Sequence, residues 1–284
     1  MIVAETPRGY RFVTQPDHAR LAGQFAGQWG GDGFERPAPL PAVAMAAHVH
    51  DDGWFARDRR PYRRPDGTPQ PFTDLPPAAW IELYDRGIER AVALDRYAGL
   101  LVSMHGTGLR RRRYGLSPSW PDTPPAFADF VDRQEARQRE LVATLASDPA
   151  DGRAADADRT LLETLHETGT PPAETASRLW TNYRLLQAWD ALSLSVCRTT
   201  SPPADDALEN VPPGPNDPAV TLSLSALDDG AVGVALDPFA VEPLRATVFA
   251  RTVEGEAFDT DRDLLEAFHA AELEAVEVTF RPMG

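Results

Sequence analysis

The stretch Ala46-Ala47-His48-Val49-His50-Asp51-Asp52-Gly53-Trp54 ends an alanine-rich, buriable segment in two histidines and two aspartates. Such an end is either a polar helix terminus that meets water or part of a metal site in which an adjacent His and Asp supply two ligands. Two distant residues bear on the choice. His18 shares a helical face with Leu21, Phe25 and Trp29 by i,i+3/i+4 spacing, so it belongs to a buriable stripe. Asp190 interrupts the stripe Leu179, Tyr183, Leu186, Leu194 and Cys197. A carboxylate buried there without a partner costs several kcal/mol, so it needs an arginine, a helix cap, strong donors or a metal ion. His50 shares a face with Val43, Ala46 and Ala47. His48, two residues earlier, points about 200° away and reads as a surface or supporting residue.

In chain order, His18, His50, Asp51 and Asp190 offer two imidazoles and two carboxylates from three helices. That donor set suits one divalent transition metal (Mn, Fe, Co, Ni or Zn), with room for a second ion, better than Mg or Ca. His105, in "LLVSMHGTG", is a further candidate at the point where Gly106 and Gly108 are expected to break an apolar helix. A histidine at a helix C-terminus also complements the dipole, so His105 has a structural reading beside the chemical one.

Arginines gather after both site segments. "RDRRPYRR" places five in the eight positions Arg57 to Arg64, and Arg110 to Arg113 follow His105, so nine of the 28 basic residues sit there. Guanidinium groups bind phosphate oxygens bidentately, which makes Arg57 and Arg110 candidates for gripping a phosphorylated ligand. Pairing with surrounding aspartates in a solvated loop is the alternative. Neither cluster has the aromatic interleaving of a nucleic-acid module.

The elements that must position these groups fall into two regimes. Up to about Arg198 the apolar residues follow helical spacing. Helices are expected near residues 14–31, 41–53, Trp80–Leu94, Tyr97–His105, Pro125–Ala146, Asp158–His166 and Glu174–Arg198. Thr199 to Pro218 is dense in Pro, Asp and Asn and reads as a linker. Beyond it the period becomes two, giving four strands and a helix from about Asp261 to Glu272. The expected architecture is mainly α: a helical domain over residues 1–198, a linker over 199–218, and a small antiparallel α+β subdomain over 219–284. His166 and His269 lie on polar amphipathic stretches and read as surface.

Composition bounds the setting. The 284 residues carry 28 arginines, no lysine and 43 acids, 26 of them Asp, for a net charge of −15. This is the surface expected of a halophilic cytoplasmic protein, and in molar salt a Debye length of about 3 Å removes long-range charge as a guide to partners. The lone Cys197 excludes an internal disulfide, and no apolar run approaches a membrane span. No Walker motif, dinucleotide fingerprint, Gly-x-Ser-x-Gly elbow or Cys-based zinc site is present.

The His…His-Asp…Asp order on helices resembles the HD-domain superfamily of metal-dependent phosphohydrolases. More closely, "QPDHARLAGQFAGQWG", "AAHVHDDGW", "DGTPQPF", "LLVSMHGTGL" and "WDALSLSVC" resemble the uncharacterised family called domain of unknown function 3891. The likeness implies an HD-like helical domain with metal ligands His18, His50, Asp51 and Asp190. It departs at Trp54, where many such enzymes carry a catalytic Glu, so Asp58, or Asp52, is left to supply the general acid or base. The expected function is hydrolysis of a small phosphorylated compound, with nucleotides among the candidates. In that reading Asp58 or His105 handles the proton, and Arg57 or Arg110 binds phosphate. Two alternatives stay open: an HD-type di-iron oxygenase, whose two extra histidines would be His105 and His166, and a non-catalytic metal- or nucleotide-binding regulator.

Overall fold

In a computed structural model, the described residues are all but 117–123, 148–155, 173, 174, 176, 202, 204, 205 and 284. The chain opens with a hairpin, β1 (Ile2–Thr6) and β2 (Gly9–Val13). Among the described residues there follow the helices α1 (Gln15–Gln28), α2 (Leu40–Val49), α3 (Pro77–Leu94), α4 (Arg96–Gly108), α5 (Ala128–Ser147), α6 (Asp156–Thr168) and α7 (Arg178–Cys197). The chain then forms β3 (Asp206–Val211), β4 (Val220–Ala226), β5 (Val232–Val234), β6 (Leu244–Glu254), α8 (Asp261–Ala270) and β7 (Leu273–Pro282). The Glu174 at which the last long helix was expected to begin lies outside the described residues.

Helix starts follow local chemistry. Thr14 caps α1 by accepting from the Asp17 amide, with Pro16 in the first turn, and Asp95 caps α4 by accepting from the Ala98 amide. Ser177 does the same for α7 from Trp180. From Tyr97 to Gly108 every residue of α4 is buried, so it runs through the middle of the helical layer rather than along its surface. Gly106 does not end this helix. A Cβ there would come within 2.9 Å of the Tyr84 ring, so the glycine admits α3 against α4. Gly53 serves a similar purpose: a Cβ would strike the Leu83 carbonyl of α3.

The mainly α expectation with a small β-rich appendage is corrected. The seven strands form one curled, mixed sheet in the order β1-β2-β6-β7-β5-β4-β3, with β5 and β7 parallel and every other neighbour antiparallel. The molecule is a substantial mixed α and β fold. Residues 2–13 escape a local reading because each strand has only five residues, and β2 is held by β6, about 240 positions away. The residues of β3 fall within the proline-rich stretch read as linker, where turn-forming composition masks a strand that pairs with β4.

The sheet matters to the site because helices α1 and α7 lie on it, against β6 and β3 respectively. Gln24 of α1 clamps the backbone of β6, donating to the Thr247 carbonyl at 2.8 Å and accepting from its amide at 3.0 Å. Among the described residues, no helix is long and apolar enough to cross a membrane.

Candidate metal centre

Four elements bring five ionisable side chains together. His18 comes from α1, His50 is the C-cap of α2, Asp51 follows it, His105 lies in the last turn of α4, and Asp190 is on α7. Two overlapping groups have ligand atoms within 4.8 Å of one another: His18, His50 and Asp51, and His50, His105 and Asp190. The four ligands carried over from the resemblance, and His105, therefore converge. His48 is exposed, its Cβ facing Gly23 of α1.

The hydrogen bonds orient the rings. His50 Nδ1 donates to the Ala47 carbonyl at 2.8 Å, which leaves Nε2 facing Asp190 Oδ1 at 3.4 Å and Asp51 Oδ2 at 3.9 Å. Ser193 Oγ donates to the Asp190 carbonyl and so can accept from His18 Nδ1 at 2.9 Å, which turns His18 Nε2 toward Asp51 Oδ2 at 3.0 Å. Pinning one ring nitrogen to fix the other is how proteins prepare imidazole for a metal. His105 is held differently: the Gln187 side-chain N–H donates to its Nδ1 at 2.7 Å, so its ring hydrogen sits on Nε2.

Burial sets the electrostatics. Side chains of His18, His50 and Asp51 are at most 4% exposed. Burial alone would lower the His50 pKa, but Asp51 and Asp190 outweigh it and lift the ring to about 9. Both carboxylates are held below their ordinary value: burial opposes this, but His50 and its neighbouring histidines prevail. Burial, with help from His50 and His18, pushes His105 down to about 4. Burial raises the Tyr84 phenol, and the charges of Asp51 and Asp190 raise it further. The centre thus demands positive charge at one point between two carboxylates.

Two atoms there are orphaned. Among the described residues, His50 Nε2 and Asp51 Oδ1 are buried without a hydrogen-bond partner. Such atoms are costly unless something outside the chain satisfies them. A divalent transition ion fits the donor set: imidazole nitrogens with fixed tautomers, two anionic oxygens, and a local need for a cation.

The centre opens on a cavity of about 780 Å³ lined by His18, Asp51, His105 and Asp190 on one side. Tyr84, Trp80, Phe72 and Leu194 supply apolar wall, and the cationic lining is Arg110, Arg113 and Arg198. Arg110 packs over the Trp80 ring at 4.0 Å and the Phe127 ring at 3.9 Å, with no ion pair among the described residues.

Other expected residues lie elsewhere. Asp58 is not in the cavity: Oδ1 accepts from the Met1 amino group at 2.8 Å and Oδ2 from the Gln15 amide at 2.7 Å, so both oxygens are committed to tying β1 and α1 together. Asp52 does not line the cavity either. Arg57 stacks on Tyr62 at 4.2 Å beside a separate small cleft, while Arg63 and Arg64 pair with Asp261 and Asp74. Arg111 pairs with Glu135 and donates to the Leu165 and His166 carbonyls at the end of α6. His166 sits between α5 and α6, accepting from Arg139 and donating to Gln138 Oε1, so the histidine count for the oxygenase alternative is not met at the centre.

Sequence reasoning missed Tyr84, Gln187, Ser193 and Arg198, and within the cluster Arg110 to Arg113 it singled out Arg110 but not Arg113. The signal for two of them was present, since Gln187 and Ser193 stand at i−3 and i+3 from Asp190 and share its face of α7. No curated protein and no solved structure matches the chain. A family model described as "Protein of unknown function (DUF3891)" matches residues 1–255, a span that holds every residue of this centre, and the chain belongs to that family.

Proposed function

We propose that the protein is a metal-dependent hydrolase acting on a small phosphorylated compound, as its resemblance to HD-domain phosphohydrolases implies. The observation that carries this reading is the orphaned His50 Nε2, buried and aimed between Asp51 and Asp190, which themselves line a large cavity that also presents Arg110. His18, His50, Asp51 and Asp190 would hold one divalent transition ion (Mn, Fe, Co, Ni or Zn). Such an ion supplies Lewis-acid polarisation of a phosphoryl oxygen and acidifies water at neutral pH.

The remaining steps belong to the chain. His105, with Nδ1 accepting from Gln187, presents Nε2–H as a donor and takes over the role expected of Asp58. A neutral imidazole in this tautomer stabilises negative charge on a phosphoryl or leaving-group oxygen without carrying charge itself. Arg110 offers a guanidinium preoriented by two aromatic rings and, among the described residues, unclaimed by a carboxylate, suited to phosphate oxygens. Ser193 and Gln187 keep the rings aligned.

The test is elemental analysis of the purified protein, followed by assay of the metal-loaded form against a panel of phosphomonoesters and nucleotides. Stoichiometric transition metal with phosphate release from any of them supports the reading. Stoichiometric metal with no release across the panel would reduce the protein to a metal-binding one.

A further inference from the structure

We infer that the substrate is an elongated organic phosphate bearing a carboxylate at the end remote from its phosphoryl group, and that Arg198 binds that carboxylate. The inference rests on the hydrolase reading above and adds what occupies the rest of the cavity. A phosphoryl group fills the space of only a few waters, each about 30 Å³, whereas the cavity measures about 780 Å³. That volume lies within the range of sites for mid-sized organic ligands.

One face of α7 gives the cavity its direction. Asp190, Ala191, Leu194, Ser195 and Arg198 all line it, so the wall runs from the metal centre to the C-cap of the helix. Eight residues at a rise of about 1.5 Å each separate the two charged ends by about 12 Å. The surface between them is mostly apolar, with Ala191 and Leu194 joined by Leu75 and Leu208, and Ser195 adding one hydroxyl. A ligand lying along this wall would meet a requirement for negative charge at each end and a mostly apolar surface in its middle.

Arg198 is available for the distal end. It is exposed, its guanidinium lies 5.5 Å from the centre of the Phe72 ring, and it forms no ion pair among the described residues. That is notable in a chain with 43 acids and 28 arginines. A role at the helix end alone would not require it to line the cavity. Asp206 also lines the cavity and disfavours a second multiply charged group, which favours a monoanionic carboxylate over another phosphate.

The experiment uses alkylphosphonates of stepped length, each made as a matched pair ending in methyl or carboxylate. They are titrated by calorimetry into Mn-reconstituted wild type and Arg198→Gln, and the same chains are assayed as phosphate esters. In wild type the carboxylate member should bind about tenfold tighter at lengths that span about 12 Å, and Arg198→Gln should bring the ratio close to one. A ratio near one in wild type, a ratio that persists in Arg198→Gln, or no phosphonate binding at all would each overturn the inference. A clear binding preference without turnover of any ester would instead count against the hydrolase reading and leave this one standing.

Discussion

His50 turns its Nε2 toward Asp190 Oδ1, 3.4 Å away, while its Nδ1 is tied to the Ala47 carbonyl. This single relationship joins the end of α2 to the middle of α7 and leaves a buried nitrogen that needs either a proton or a metal. Without an ion the ring is held protonated, with a pKa lifted to about 9 by Asp51 and Asp190 against the opposing effect of burial. With an ion the proton must leave, so metal uptake should release protons near neutral pH.

The most direct consequence concerns Asp190. If that carboxylate helps hold an ion, Asp190→Ala should lose most of the transition metal that wild type carries after purification, as read by elemental analysis. Full retention would mean that the buried carboxylate serves only to pair with His50. The secondary structure of the variant, followed by circular dichroism, separates loss of metal from loss of fold.

How much of this was open to a reading of the chain differs by residue. His18, His50 and Asp190 sit in apolar stripes, and three- or four-residue spacing alone places them on inward faces. Asp51 could be read only through its neighbour. Asp58 looked equally suitable because the residues that claim its oxygens, Met1 and Gln15, are 57 and 43 positions away. Arg57 was likewise indistinguishable from Arg110 by local composition; the difference lies in which one meets the aromatic wall of α3. The helices were legible for the same reason as the stripes. The sheet was not, since β1 and β2 acquire their meaning only from β6 near the other end of the chain.

A comparison of His48 with His50 tests the geometry of α2. The exposed His48 packs beside Gly23 and faces away from the centre, so His48→Gln should change metal affinity by no more than a few-fold. His50→Gln should weaken it by at least about tenfold, on the order of 1.4 kcal/mol. Competition with a chelator of known affinity measures both. Equal losses would show that the helix end is organised differently from the arrangement described.

Acid stability should depend on His166, away from the centre. Burial, with Arg139 and Arg111 nearby, lowers its pKa from the ordinary 6.5 to about 4. The folded state therefore resists a proton that the unfolded chain accepts. The contribution is fully present above about pH 6.5 and is lost as pH falls from there through about 4. Protonation would also cost the bond that Arg139 donates to Nδ1 at 2.9 Å. Urea denaturation at pH 7 and pH 4.5 should show a larger drop for wild type than for His166→Gln. An identical drop in the two proteins would place acid sensitivity elsewhere.

The arginines distinguish phosphate recognition from charge balance. Arg110 and Arg57 both follow a site segment and both stack on aromatic rings, but only Arg110 lines the cavity. Lysine would keep the charge at either position and lose the planar fork that stacks on Trp80 and grips two oxygens at once. Arg110→Lys should therefore weaken binding of a phosphate probe several-fold, and it should do so at molar salt as well as at low salt. A contact of this kind is screened less than attraction across a Debye length. Arg57→Lys should leave the affinity unchanged, because its stacking on Tyr62 lies at a different cleft. Metal content should be the same in all three proteins, since a guanidinium does not ligate a cation. Calorimetry with inorganic phosphate on metal-loaded wild type and both variants, at two salt concentrations, makes the measurement. Equal affinities for wild type and Arg110→Lys would remove the phosphate-binding role from Arg110, and the reading of the cavity as a site for phosphorylated compounds would lose its principal cation.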